Sequence, residues 1–83
     1  MIEIYGKPQC PFCERAKALC ETRLLSYKYY QLDTDFTRDE VLEMFPGART
    51  FPQIKVHGTK IGGYDELGPY LEETGYNGTG HSL

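Results

Sequence analysis

Ile2 and Ile4 alternate with polar or amphipathic neighbours, which predicts a strand ending near Gly6. Cys13, Ala16, Leu19, Cys20 and Leu24 then recur at three- and four-residue steps, which predicts one apolar face of a helix. Pro11 suits the first turn of that helix, where its missing N–H costs nothing. Tyr27 to Leu32 is rich in aromatics and reads as a second strand. Thr37 with Glu40 three residues on is a capping-box pattern, so a short helix starts there. That helix is expected to turn Val41, Leu42 and Phe45 inward and to stop at Pro46-Gly47. Gln53 to His57 reads as a third strand, with Ile54 and Val56 on one face and Lys55 and an exposed His57 on the other. Gly58-Thr59 is expected to turn the chain into a short paired strand at Lys60-Ile61. Asp65 is the expected cap of a last helix running through Leu67, Tyr70 and Leu71, with Pro69 early enough in it to be tolerated.

The resulting order is strand–helix–strand–helix–strand–strand–helix. The first two strands are joined through a helix, so they should be parallel with a right-handed crossover. The last two form a hairpin. The expectation is an α/β chain: a small mixed four-stranded sheet flanked by about three helices, compatible with a thioredoxin-like fold. Residues 1–74 form one domain on this reading. Residues 75–83 contain several glycines and little apolar content, and are expected to be a flexible C-terminal tail.

With 83 residues the chain can bury only a limited core, but seven Tyr and four Phe make a self-sufficient one feasible. A formal net charge of -3 and the lack of a basic stripe argue against a nucleic-acid binder. No apolar run approaches the roughly 20 residues of a membrane span, and no signal peptide is legible. Three cysteines are too few, and odd in number, for a secreted disulfide framework. A reducing compartment, the cytoplasm, is the expected location, where a disulfide is catalytic rather than structural.

The chemistry centres on Cys10-Pro11-Phe12-Cys13. Disulfide exchange needs a thiolate, and a free cysteine is only roughly 3% ionised at pH 7. Cys10 falls at a helix N-cap, where unpaired N–H groups and the helix dipole favour negative charge, and Lys7 adds a cation. A fall in pKa to about 5 raises the thiolate fraction roughly 30-fold and costs a similar factor in nucleophilicity. What improves is departure, which suits a sulfur that is repeatedly loaded and unloaded. Cys13, inside the first turn, is the natural resolving thiol. A zinc site would need two more ligands. Only Cys20, His57 and His81 remain, and none is suitably spaced, so no metal is expected. Cys20 reads as a small core residue.

Lys7-Pro8-Gln9-Cys10-Pro11-Phe12-Cys13 resembles the active-site segment of dithiol glutaredoxins. Gly47-Ala48-Arg49-Thr50-Phe51-Pro52-Gln53-Ile54 resembles their cis-proline loop, and Ile61-Gly62-Gly63-Tyr64-Asp65-Glu66-Leu67 their Gly-Gly turn into the last helix. The likeness covers about residues 1 to 73. Two positions depart from the common pattern: Phe12 stands where many members have Tyr, and Glu66 where Asp is frequent. The resemblance implies a glutathione-dependent thiol–disulfide oxidoreductase with Cys10 as nucleophile and Cys13 as resolving thiol. Glutathione would be co-substrate, not a bound prosthetic group. Pro52 would be cis, leaving the Phe51 N–H and C=O to pair with the cysteine backbone of glutathione. Thr50 would support that loop. Gly63, Tyr64, Asp65 and Glu66 would form the turn and helix tip that hold the γ-glutamyl group. Lys7 and Arg49 would hold the glycyl carboxylate, and Phe12 would wall the sulfur. Substrates would be glutathione mixed disulfides or a protein disulfide such as that of ribonucleotide reductase, and the protein would act as a monomer. Two alternatives stay open: a small redoxin reduced by thioredoxin reductase, and an iron–sulfur cluster carrier. The first lacks its usual Trp here, and Pro11 stiffens the loop against the second.

Overall fold

The computed structural model describes residues 1–75; the expected tail beyond Gly75, including His81, lies outside them. The elements run β1 (Ile2–Gly6), α1 (Pro11–Thr22), β2 (Tyr27–Gln31), α2 (Arg38–Met44), β3 (Gln53–Val56), β4 (Thr59–Gly62) and α3 (Tyr64–Thr74). They form the expected thioredoxin-like arrangement. The sheet order is β2-β1-β3-β4, with β1 parallel to β2 and antiparallel to β3, and β3 antiparallel to β4.

β1 is paired on both edges, and its side chains divide between two cores on opposite faces of the sheet. Ile2 and Ile4 join Ala16, Cys20, Leu25, Ile54, Val56, Leu67 and Leu71 in an aliphatic core against α1 and α3. Tyr5, on the opposite face, joins Phe36, Val41 and Phe45 in a smaller core rich in rings under α2. Tyr5 and Tyr30 are register partners on β1 and β2, and their rings stack at 4.8 Å and 15°.

α1 ends one residue pair earlier than the apolar spacing suggests. Leu24 was expected on its buried face, yet it is 92% exposed and takes a left-handed φ of 58°. Its N–H bonds the Glu21 carbonyl, while the Leu25 N–H reaches back to the Cys20 carbonyl at 2.8 Å. This pair of bonds is a Schellman closure, and Leu25, not Leu24, enters the core against Cys20.

α2 carries the predicted capping box: the Glu40 N–H donates to Thr37 Oγ1, and the Thr37 N–H to Glu40 Oε1. Val41 and Phe45 point inward as expected, but Leu42 does not and is 39% exposed. A helix of seven residues has one narrow inward arc, and a residue about 100° past Val41 falls outside it.

The hairpin turn is shifted by one residue from the expected Gly58-Thr59. Val56 pairs with Thr59, so His57 and Gly58 form a two-residue loop with φ of 52° and 83°. His57 is exposed but is a turn residue, not a strand residue. Two positive φ values in succession mark the hairpin turn whose twist matches the strands, and Gly58 accepts one of them without strain. The last helix also starts earlier than expected. Gly63 is its N-cap with no side-chain bond, and Asp65 lies in the first turn rather than capping it. Pro69 is consequently inside the helix.

Candidate active site

The central strand delivers the dithiol. At its end, Gly6 leaves room for the Tyr29 hydroxyl; a Cβ there would overlap that ring. Gln9 adopts a left-handed φ of 56°, turning the chain so that Cys10 becomes the N-cap of α1 and Pro11 its first residue. The Cys13 N–H donates to Cys10 Sγ over 3.2 Å. The two sulfurs are joined as a disulfide with Cα atoms 5.2 Å apart. Cys13 is fully buried and Cys10 is 7% exposed, so Cys10 presents the accessible sulfur.

Opposite the dithiol, the Phe51–Pro52 peptide is cis, as the sequence predicts. The Phe51 carbonyl oxygen lies 3.7 Å from Cys10 Sγ. Neither the Phe51 N–H nor its carbonyl takes part in a backbone hydrogen bond with another described residue outside the strand ladders. The buried Gln53 amide donates to the Thr50 carbonyl at 2.7 Å and braces this loop. Thr50 thus contributes its backbone to the brace.

Gly62 has φ of 111°, a conformation that strains any residue with a Cβ. A Cβ there would also crowd the Glu66 carboxylate at 3.3–3.4 Å. This turn brings the α3 N-terminus alongside the cis-proline loop: a Cβ added at Gly63 would lie 3.5 Å from the Pro52 carbonyl oxygen. The first turn of α3 leaves backbone N–H groups without helical partners, apart from Glu66, whose N–H reaches the Gly63 carbonyl at 3.2 Å.

These three segments enclose one groove of about 630 Å³. Of the residues singled out in the sequence, Phe12, Arg49, Thr50, Phe51, Pro52, Gly63, Tyr64, Asp65 and Glu66 all line it. Cys10 and Cys13 do not line it; Cys10 Sγ lies beside it, 3.7 Å from the carbonyl oxygen of Phe51, which does. Lys7 does not line it; its ammonium sits 6.0 Å from the Phe51 ring centroid. Phe12 is 48% exposed; its ring centroid lies 6.0 Å from that of Tyr64 and 5.3 Å from the Arg15 guanidinium. Lys60, Gln53 and Phe45 also line the groove, and no sequence motif marks them as site residues. Lys60 carried no signal because a lysine in a hairpin strand is ordinarily a solvated charge. By sequence Gln53 is only a strand start; its burial, which a lone glutamine does not announce, makes its amide need a partner and gives it the bracing role.

The third thiol behaves differently. Burial, with a smaller push from Glu21, raises Cys20 to about 11, so it stays a neutral core group. Among the described residues, no three His, Cys, Asp or Glu side chains gather where a metal could bind. No helix among them is long and apolar enough to cross a membrane.

The sequence model of the glutaredoxin family matches residues 2–61. Glutaredoxin 3 of Escherichia coli is 38% identical over 66 residues, which cover 80% of each chain. The buckwheat glutaredoxin–glutathione complex superposes with a TM-score of 0.73 at 27% identity, over 87% of this chain and 68% of that one. Oxidised Escherichia coli glutaredoxin gives 0.73 at 32% identity, over 87% and 93%.

Proposed function

The chain belongs to the glutaredoxin family of thiol–disulfide oxidoreductases, and from that premise we propose that glutathione is its reductant and that protein disulfides and glutathione mixed disulfides are its substrates. In the reduced protein, the Cys10 thiolate attacks a substrate disulfide. A new bond forms to Cys10 Sγ, and the departing substrate sulfur leaves as a thiolate that takes a proton from water. Cys13 then loses its proton and attacks Cys10 Sγ, which frees the second substrate sulfur and closes the Cys10–Cys13 disulfide. Two glutathione thiols return the pair to its reduced form and leave as glutathione disulfide. A glutathione mixed disulfide needs only Cys10: the thiolate takes the glutathionyl group, and a second glutathione removes it.

The observation that carries this reading is the union of one accessible sulfur, a backbone edge at Phe51 and a helix N-terminus around a single groove. The Phe51 N–H and C=O pair with the cysteinyl backbone of glutathione as a short added strand. The N–H groups at the start of α3 receive its γ-glutamyl carboxylate, and Asp65 and Glu66 receive the ammonium. Arg49, with Lys7 from the outer side, holds the glycyl carboxylate. Phe12 and Tyr64 supply the apolar wall. On this reading the protein works as a monomer in a reducing compartment, the cytoplasm, with ribonucleotide reductase as one candidate partner.

A turnover assay coupled to glutathione and glutathione reductase tests it. Sustained reduction of a small glutathione mixed disulfide is expected. Turnover with thioredoxin reductase in place of glutathione would overturn the assignment.

A further inference from the structure

One concave surface extends past that chemistry, sharing only Asp65 and Glu66 of the residues placed against glutathione. A second hollow of about 370 Å³ lies between β4 and α3, with Ile61, Pro69 and Tyr70 as its apolar lining and Glu73 on its rim. It meets the first groove at Lys60, Asp65 and Glu66, which line both. Ile61 and Tyr70 pack on the aliphatic core and remain partly exposed, so the floor is held firmly.

β4 is an edge strand. Val56 and Thr59 flank the two-residue turn as a hydrogen-bonded pair, so the alternation of an antiparallel ladder makes Lys55 and Lys60 a non-bonded pair. The Lys60 N–H and C=O therefore point away from β3, toward the open edge. Neither engages a backbone group in a turn or loop of the described residues. Among the described residues, a donor and an acceptor thus face the open edge where the two hollows join.

Resting on the disulfide-reductase reading, we propose that this second hollow is a subsite for protein substrates. It takes an extended segment flanking the substrate's cysteine, paired to the β4 edge at Lys60. An apolar side chain of that segment lies over Ile61 and Tyr70, and a lysine or arginine faces Glu73 and Asp65. Glutathione, with three residues, spans at most roughly 10 Å and is accommodated by the first groove alone. A protein segment continues past it. The acidic rim outnumbers its single cation, which selects for basic neighbours of the substrate cysteine.

The test uses the full chain and synthetic peptides. Each peptide carries one cysteine, oxidised to a peptide dimer, and bears lysines or glutamates from the third to the sixth position on both sides. The expected result is a kcat/KM about fivefold higher for the lysine peptides, a preference that Glu73→Lys removes. Glu43→Lys, the same charge change on exposed α2, should keep the preference, which separates a local subsite from net charge. Turnover of a small glutathione mixed disulfide should be the same in all three proteins. Equal rates for both peptides, or equal effects of the two lysine variants, would overturn the subsite. Loss of the small-substrate turnover in the unmodified protein would instead overturn the reductase reading on which it rests.

Discussion

The Cys13 main-chain N–H points at Cys10 Sγ from 3.2 Å. The bond is local, yet it couples the two thiols in function. The residue that later resolves the mixed disulfide also stabilises the sulfur that forms it. The stabilising group is backbone, so changing the Cys13 side chain leaves it in place.

That separation gives the first prediction. Cys13→Ser should keep glutathione removal from small mixed disulfides near the unmodified rate and lose reduction of protein disulfides. Cys10→Ser should lose both. Parallel coupled assays on the two substrate types check this. Loss of both activities in Cys13→Ser would contradict the one-thiol route.

Cys20 should be chemically silent in the native oxidised protein. At about pKa 11 its thiolate fraction at pH 8 is about a hundredfold below that of an unperturbed thiol, before counting burial. Alkylation followed by mass spectrometry should find it unmodified until denaturant is added. The raised pKa also sets a sign for stability. The unfolded thiol ionises near 9.0 and the folded one near 11, so the contribution is complete below pH 9 and lost as pH rises toward 11. Denaturant melts of the oxidised protein from pH 8 to 11 should fall more steeply than those of Cys20→Ala.

Leu24→Gly should stabilise the fold. A left-handed Leu costs roughly 1–2 kcal/mol, and the added chain freedom of Gly returns roughly 0.5–1 of it, for a net gain of about 0.5–1 kcal/mol. The side chain is 92% exposed, so little packing is lost. A higher midpoint in urea is the expected reading, and a lower one would contradict the Schellman assignment.

Gly6→Ala should destabilise by about 1–3 kcal/mol, because the new methyl group displaces the Tyr29 ring from its seat. In Tyr29→Ala the same change should cost far less. A double-mutant cycle on thermal midpoints measures the coupling. Additive effects would mean that the glycine serves only backbone freedom.

Thr37→Ala removes one arm of the capping box and should cost about 1 kcal/mol, read as a lower thermal midpoint. Turnover with small substrates should be unaffected, since the cap lies at the far end of α2 from Phe45, its C-cap residue that lines the groove.

The motifs were legible in the sequence because each depends on a residue with unusual backbone or sulfur chemistry. Cys10 and Cys13, Pro52 and Gly63 announce themselves by type. The elements were legible by period, and the capping box at Thr37 by spacing. The misses share a cause. Leu24, Leu42 and His57 were placed by extending a period past the point where backbone geometry broke it, at a Schellman closure, a helix too short for a broad face, and a paired positive-φ turn. Lys60 and Gln53 gain their positions from β4 and the proline loop folding together, and no local pattern encodes that meeting.

The Tyr5–Tyr30 stack has a use at the bench. The chain has no Trp, so its near-ultraviolet signal comes from phenols and from the weaker phenylalanines and disulfide. Two parallel phenols at 4.8 Å couple their transitions, and they lie across β1 and β2 on the sheet face turned away from α1 and α3. Circular dichroism in that band therefore carries a coupled contribution from the ring-rich core beside those of Tyr27, Tyr29, Tyr64 and Tyr70 on the aliphatic core, and Tyr30→Leu isolates it apart from the helical signal in the far ultraviolet.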